Sequence, residues 1–264
     1  MKFAKYFATL ACLFATGSFL VTHLPEKVHA KPLESGYHWA TPETRAMQDD
    51  DFSNPAFMWV DIGEEQWSKV DGGVGKSCAS CHGADASVSM KGISVTYPKY
   101  SAEDGKLRAL QHQITHCRTK NMKAKAWKWE SDEMLGMSAF IKNQSKGMPL
   151  NVSVTGEAQR FYNKGKKSYY LRRGGLDMSC ANCHVDYAGT KIRANILSNG
   201  MPNGFPTYRL KWQKVGSLHR RFRGCNKQVR STPFKSGSDV YTNMELFLTH
   251  RAKGMAVESP SVRN

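Results

Sequence analysis

Two pentapeptides constrain this chain more than any other feature: Cys78-Ala79-Ser80-Cys81-His82 and Cys180-Ala181-Asn182-Cys183-His184. Both read C-x-x-C-H, the attachment signature of c-type haem. Thiols three positions apart on one helical turn can add to the two vinyl groups of a porphyrin. The adjacent histidine then offers its imidazole to the iron. A thioredoxin-like C-x-x-C follows a strand in a βαβ unit, which neither stretch does, and a zinc site needs a wider ligand arrangement. Two covalently bound c-type haems are therefore expected, with Cys78, Cys81, Cys180 and Cys183 as attachment points and His82 and His184 as iron ligands.

The chain has 264 residues, room for one large core or two modest ones. Lys2 and Lys5 precede an apolar run from Tyr6 to Val21, and Val28-His29-Ala30 offers a small-x-small cleavage site. Residues 1–30 thus read as an export signal, which makes the periplasm the expected compartment. Leu10-Ala11-Cys12 is a fainter lipid-attachment pattern, its cysteine too early in the run. The run is short for a membrane span, and no later segment is apolar for long enough. Cleavage after Ala30 would remove Lys2, Lys5, Lys27, Glu26 and Cys12, lowering the formal charge from +16 to +14 and leaving six cysteines. So basic a surface suits anionic partners. Export and the lack of a recognised motif argue against nucleic acid. Disulfides are permitted in such a compartment.

Similarity between the two halves extends past the pentapeptides. Gly63-Glu64-Glu65-Gln66-Trp67 precedes the first, and Gly156-Glu157-Ala158-Gln159-Arg160-Phe161 the second. Downstream, Ser131-Asp132 matches Ser238-Asp239, Phe140 matches Phe247, and Lys146-Gly147-Met148 matches Lys253-Gly254-Met255, all at an offset of 107 residues. Such recurrence predicts two copies of one unit, 55–150 and 151–260. An extended segment over 31–54 would lead in, and 261–264 would form a tail. The expected fold is all-α, mainly helical, with tandem duplicated class I cytochrome c-like domains.

Ser131 and Ser238 are N-cap candidates, each followed by an acidic residue. Met134, Met137 and Ile141 share one helical face, as do Val240, Met244, Phe247 and Leu248, and these read as core. Gly147 and Gly254 suit helix stops. A helix is also expected over 155–173, although Gly165 counts against it by about 1 kcal/mol. Ile93–Tyr97 and Val152–Val154 have strand composition but are too short to define a sheet.

Each iron has a position opposite its histidine, and the ligand there sets potential and reactivity. Three kinds of side chain compete: Met148 and Met201, both in Met-Pro pairs; His112, His116, His219 and His250; and the leftover cysteines, Cys117 and Cys225. The cysteines lie in matched places, 35 residues after His82 and 41 after His184. Thiolate ligation, a Cys117–Cys225 disulfide and free thiols all remain open on the residues alone. Neighbouring arginines and lysines would favour a thiolate.

The segment Arg220-Arg221-Phe222-Arg223-Gly224-Cys225-Asn226-Lys227-Gln228-Val229-Arg230, with His116-Cys117-Arg118-Thr119 and the two haem motifs, resembles the SoxA family of dihaem cytochromes of thiosulfate oxidation. The resemblance runs from about Phe57 to Gly254. It implies Cys117 as distal ligand of the first haem. It implies Cys225 as distal ligand of the second and as catalytic residue, often a persulfide, with Arg221 meeting substrate. Some relatives carry a disulfide in place of the first haem; here the first C-x-x-C-H is intact. The implied activity is that of an L-cysteine S-thiosulfotransferase, joining thiosulfate to a cysteine of SoxY in the SoxYZ carrier while two electrons leave. The implied partners are a smaller SoxX-like c-type cytochrome in a heterodimer and a soluble c-type cytochrome acceptor.

Arg220, Arg221, Arg223, Lys227 and Arg230 surround Cys225 in sequence and could serve a thiosulfate pocket, a docking surface or both. The rival readings are a plain dihaem electron carrier ligated by methionines and a dihaem peroxidase with a displaceable distal ligand.

Overall fold

Thr41-Pro42 opens the first helix. The Thr41 hydroxyl accepts a bond from the Thr44 amide at 3.3 Å, and proline at the first helical position loses no needed donor. In the computed structural model, which describes residues 32–193 and 195–264, this gives α1 (Pro42–Asp49) inside the segment expected to be extended. Then follow α2 (Phe57–Ser68), α3 (Ala79–His82), α4 (Ala86–Ser89), β1 (Lys99–Ser101), β2 (Lys106–Arg108), α5 (Leu110–His116) and α6 (Asp132–Asn143). The later half runs α7 (Ala158–Tyr170), β3 (Lys191–Ile192), β4 (Asn195–Ile196), β5 (Thr207–Arg209), β6 (Lys214–Gly216), α8 (Leu218–Gln228), α9 (Asp239–Arg251) and β7 (Ser261–Arg263). The expected export signal lies outside the described residues. Among those described, no helix is long and apolar enough to cross a membrane.

The chain is mainly helical, and its halves are built on two helix pairs, α2 with α6 and α7 with α9. Each pair crosses at a glycine. A Cβ on Gly63 would stand 2.3 Å from the Gly136 carbonyl oxygen, and one on Gly165 would stand 2.0 Å from that of Asn243. No side chain fits there. Gly165, which counted against a helix on propensity, is what lets α7 reach α9. The sequence match of Gly63 with Gly156 is therefore displaced: by position against its partner helix, Gly63 corresponds to Gly165. That pairing shares its offset of 102 residues with the two haem motifs. One turn on, Trp67 meets Phe140 with ring centroids 5.8 Å apart, and Tyr169 meets Phe247 at 5.2 Å.

Ser131 caps α6 by accepting from the Met134 amide at 3.4 Å. Ser238 occupies the equivalent place before α9, but its hydroxyl makes no capping bond. The expected apolar faces are core: Met134, Met137, Ile141, Met244, Phe247 and Leu248 are buried, and Val240 is half-buried. Gly147 and Gly254 adopt φ of +81° and +89° in the turns that follow the helices. These turns bond to each other. The Gly147 amide donates to Val257 and the Gly254 amide to Leu150, both at 2.9 Å. Beneath them Val95, Leu150, Met201, Ala252 and Val257 form a shared apolar cluster, so Leu33–Asn264 is one compact unit.

Extended structure lies away from the two strand-like stretches. Ser94–Thr96 is a 3₁₀ turn, whereas β1–β2 and β5–β6 are antiparallel hairpins leading into α5 and α8. The terminal residues, expected as a tail, supply β7, which pairs parallel with β5.

Helices α5 and α8 are tied together near their starts. His112 on α5 accepts at Nδ1 from the Ala109 amide, so its Nε2 donates to the Gly237 carbonyl at 3.0 Å. His219 on α8 accepts at Nδ1 from the Gly237 amide at 2.9 Å, which leaves a proton on Nε2, 3.0 Å from a Glu245 carboxylate oxygen. Trp129 stacks on His219, with centroids 4.9 Å apart. Both histidines thus bond to the backbone of one residue, Gly237, one at its carbonyl and the other at its amide.

Two expectations follow. Gly165→Ala should lower unfolding stability by about 2–3 kcal/mol through overpacking against backbone, whereas Gly224→Ala, with open space around it in α8, should be neutral or stabilising by up to about 1 kcal/mol; denaturant titration of both variants checks this. Burial lowers the His112 pKa despite its bond to Gly237. The unfolded chain therefore binds more protons in the window just below about pH 6.5, and stability should fall as pH drops through it. His112→Gln should flatten that part of a pH–stability profile.

Candidate functional site

The haem motifs share a local device. Ser77 precedes the first, and its amide donates to the Ser80 hydroxyl at 3.0 Å while the Ser80 amide donates back to Ser77 at 3.1 Å. Before the second, the Ser179 amide donates to the Asn182 side-chain oxygen at 2.9 Å, and the Asn182 amide returns a bond to Ser179 at 3.2 Å. This exchange satisfies amides at the start of a helical turn and aligns both thiols and the imidazole along it. Trp67 covers His82, with centroids 5.8 Å apart. His184 uses Nδ1 on the Ser198 carbonyl, 2.7 Å away, leaving Nε2 free for another partner.

That partner is Cys225. Helix α8 starts with the Ser217 hydroxyl accepting from the Arg220 amide at 3.1 Å, and it delivers Cys225 beside His184, Cys180 and Cys183. Burial pushes the Cys180 thiol up to about 12. Burial acts in the same direction on Cys225, but the Arg221 guanidinium, a hydrogen bond and charge from His184, and Arg209 outweigh it and bring the thiol down to about 7. Of the cysteines at this site, Cys225 alone is held toward the thiolate.

Of the other basic residues of the segment, two are engaged elsewhere and two are exposed. Arg220 lies over the Trp212 ring at 4.5 Å, and Arg223 donates to the Phe234 carbonyl at 2.6 Å. Lys227 is exposed on α8, and Arg230 follows the helix with φ of +56°. Arg209, from β5, joins Arg221 instead. Burial and Arg221 lower its pKa to about 10, and its guanidinium donates from Nε to the main-chain oxygen of Asn264 at 2.7 Å. Nothing in sequence links Arg209 to Cys225; only the β5–β6 hairpin turns it back toward α8.

At the first site, Cys117 ends α5 where the backbone widens, the Met122 amide donating to the Cys117 carbonyl at 3.1 Å. It lies close enough to Cys78 and Tyr97 to act on both. Cys117 and Cys225 thus belong to different clusters, and all six described cysteines are free. The competing ligands are committed elsewhere. Met201 is buried in the shared cluster with Met148 against it. His112 and His219 hold Gly237, His116 faces Glu103 at 3.4 Å, and His250 packs edge-on to Tyr162.

Paired thiols and an imidazole whose Nδ1 is already used are the donor set that attaches a c-type haem, and at the second site a further thiol lies beside the imidazole. A mainly helical cytochrome-c-like protein with a sulfur facing its histidine is the class these features define.

Residues 62–150 match the family model for the SoxA/TsdA cytochrome c domain. The chain is 41% identical to the L-cysteine S-thiosulfotransferase subunit SoxA of Rhodovulum sulfidophilum, over 93% of this chain and 86% of that one. It is 43% identical to the corresponding subunit of Paracoccus pantotrophus, over 87% and 79%. The crystal structure of SoxXA from P. pantotrophus superposes with a TM-score of 0.84 at 42% identity, covering 88% of this chain and 87% of that one. The chain belongs to the SoxA family.

Proposed function

We propose that the protein is an L-cysteine S-thiosulfotransferase that joins thiosulfate oxidatively to a carrier-protein cysteine, that of SoxY in SoxYZ. The observation that carries this reading is the Cys225 sulfur held toward the thiolate beside His184 and Arg221. In this reading, 55–150 and 151–260 are tandem class I cytochrome c-like domains, the second catalytic, each with one covalent haem. His82 and Cys117 ligate the first iron, and His184 and Cys225 the second. The haems supply the route by which two electrons leave, toward a SoxX-like cytochrome bound as a heterodimer and then a soluble c-type cytochrome. The periplasm is the compartment that fits.

The chain's own residues provide the rest. Thiosulfate is a dianion, and Arg221 with Arg209 makes a cationic place for its sulfonate end. Cys225 thiolate bonds to the outer sulfur of thiosulfate, giving Cys225–S–S–SO₃⁻ as two electrons depart. The carrier thiolate then attacks that same sulfur, and Cys225 leaves as a thiolate, whose lowered pKa makes it a good leaving group. The net change is carrier–SH plus thiosulfate to carrier–S–S–SO₃⁻, one proton and two electrons. A persulfide on Cys225 would take the same position one sulfur further out. Arg220, Arg223, Lys227 and Arg230 form a basic rim suited to docking the carrier.

Cys225→Ala should reduce turnover by at least about 1,000-fold while haem staining under denaturing conditions still counts two covalent haems; turnover near the parent rate would defeat the assignment. Arg221→Lys keeps charge but loses the planar fork, so kcat/KM for thiosulfate should fall about 10–100-fold, or roughly 1.4–2.7 kcal/mol. Steady-state kinetics at low thiosulfate measures it, and parity with the parent would remove Arg221 from the substrate site.

A further inference from the structure

The residue four positions before each distal cysteine differs between the sites: Arg221 precedes Cys225, and Gln113 precedes Cys117. Gln113 Nε2 donates to the Cys117 sulfur at 3.4 Å. An amide side chain can present either end to a neighbour, but here its orientation is fixed. Gln113 Oε1 accepts from Arg108 Nη1 at 3.1 Å, so only the NH₂ end remains for sulfur. Arg108 is itself buried and held, its Nε on Asp104 and its Nη2 on Glu103 at 2.9 Å. The relay runs from two carboxylates through a guanidinium and an amide to one sulfur.

No such relay exists at the second site among the described residues. Hairpins β1–β2 and β5–β6 share one register, Lys99↔Arg108 matching Thr207↔Gly216 and Ser101↔Lys106 matching Arg209↔Lys214. Gly216 therefore stands where Arg108 does, and Arg209 where Ser101 does. The first site spends its arginine on two carboxylates and gives its cysteine a neutral donor. The second gives its cysteine two cations and, on this hairpin, no carboxylate.

We infer that Gln113, oriented by Arg108, is a positioning residue that sets the electronic character of Cys117 and keeps the first haem an electron-holding site closed to anions. The inference rests on Cys117 being that haem's distal ligand. A hydrogen bond into a ligating sulfur draws density from it and raises the potential of the iron it serves. A neutral amide backed by a neutralised guanidinium offers no place for a dianion.

The test uses the haem-loaded full chain, with electron paramagnetic resonance and spectroelectrochemical titration resolving the two haems. Gln113→Leu should move one low-spin signal and shift one potential to a more negative value, leaving the other signal, the other potential and both covalent haems unchanged. Gln113→Arg, which restores a donor and adds charge, should shift that same potential the opposite way. Arg108→Met, which frees the amide to turn, should reproduce part of the Gln113→Leu shift. If Gln113→Leu leaves both signals and both potentials at parent values, with thiolate ligation evident at both haems of the parent, the inference about Gln113 is overturned and Cys117 ligation stands. If the parent shows thiolate at one haem only, ligation by Cys117 fails and the inference falls with it.

Discussion

The chemistry of this molecule depends on the charge balance at one half-buried sulfur. Burial alone would raise Cys225, as it raises Cys180 to about 12, yet its thiol lies at about 7, below the ordinary 9.0. Two pKa units correspond to about 3 kcal/mol in favour of the thiolate. That margin is what remains after Arg221, His184 and Arg209 have offset the burial that raises the thiol. A single surface arginine would not achieve it, because water would screen the pair. Arg221 succeeds because α8 brings it one turn before the sulfur, and Arg209 adds to it from a different element. The two cations also repel: Arg209 is lowered to about 10 partly by Arg221. Positive charge concentrated at that cost favours an anion arriving beside the sulfur.

The halves show how one scaffold can host two unlike environments. Helix crossings at Gly63 and Gly165, the serine-anchored haem turns, and the hairpins leading into α5 and α8 repeat closely. Differences fall on side chains at fixed places in that frame: glutamine against arginine before the cysteine, and serine against arginine on the hairpin. Backbone geometry therefore decides where a sulfur meets an imidazole, and a few substitutions decide what that sulfur does.

Much of the site was legible because its parts are close in sequence. C-x-x-C-H occupies one turn and marks haem attachment by its spacing, whereas the roles of Arg221 and Cys225 were implied by the resemblance of residues 220–230 to the SoxA family. The Ser131 cap of α6 and the apolar faces of α6 and α9 were legible for the same reason, since helical periodicity is local. What escaped is non-local. Arg209 reaches Cys225 only after a hairpin folds back; the Arg108–Gln113 bond is local, five residues apart, but depends on side-chain geometry that no spacing pattern encodes. Gly165 misled in a different way: propensity scored it as a defect, but the penalty is outweighed by the closeness of α9. The strands are three residues or shorter and held by register with partners up to 54 positions away, too brief to leave an alternating pattern.

The clamp at Gly237 gives this arrangement its rigidity. Reactive sulfur chemistry needs the thiolate, its cations and its imidazole held within a fraction of an ångström of a working geometry. Helix α5 leads into Cys117 and α8 carries Cys225, and each helix is fixed near its start by a histidine bonded to the backbone of Gly237. Glu245 places a carboxylate oxygen 3.0 Å from His219 Nε2 in the interior. Because the turns at Gly147 and Gly254 also bond to each other, the halves meet through both polar and apolar contacts. A hinge between them would have to break that clamp and split a shared apolar cluster together. The geometry around Cys225 is thus a property of the whole unit, because the helix that carries it is anchored to both halves.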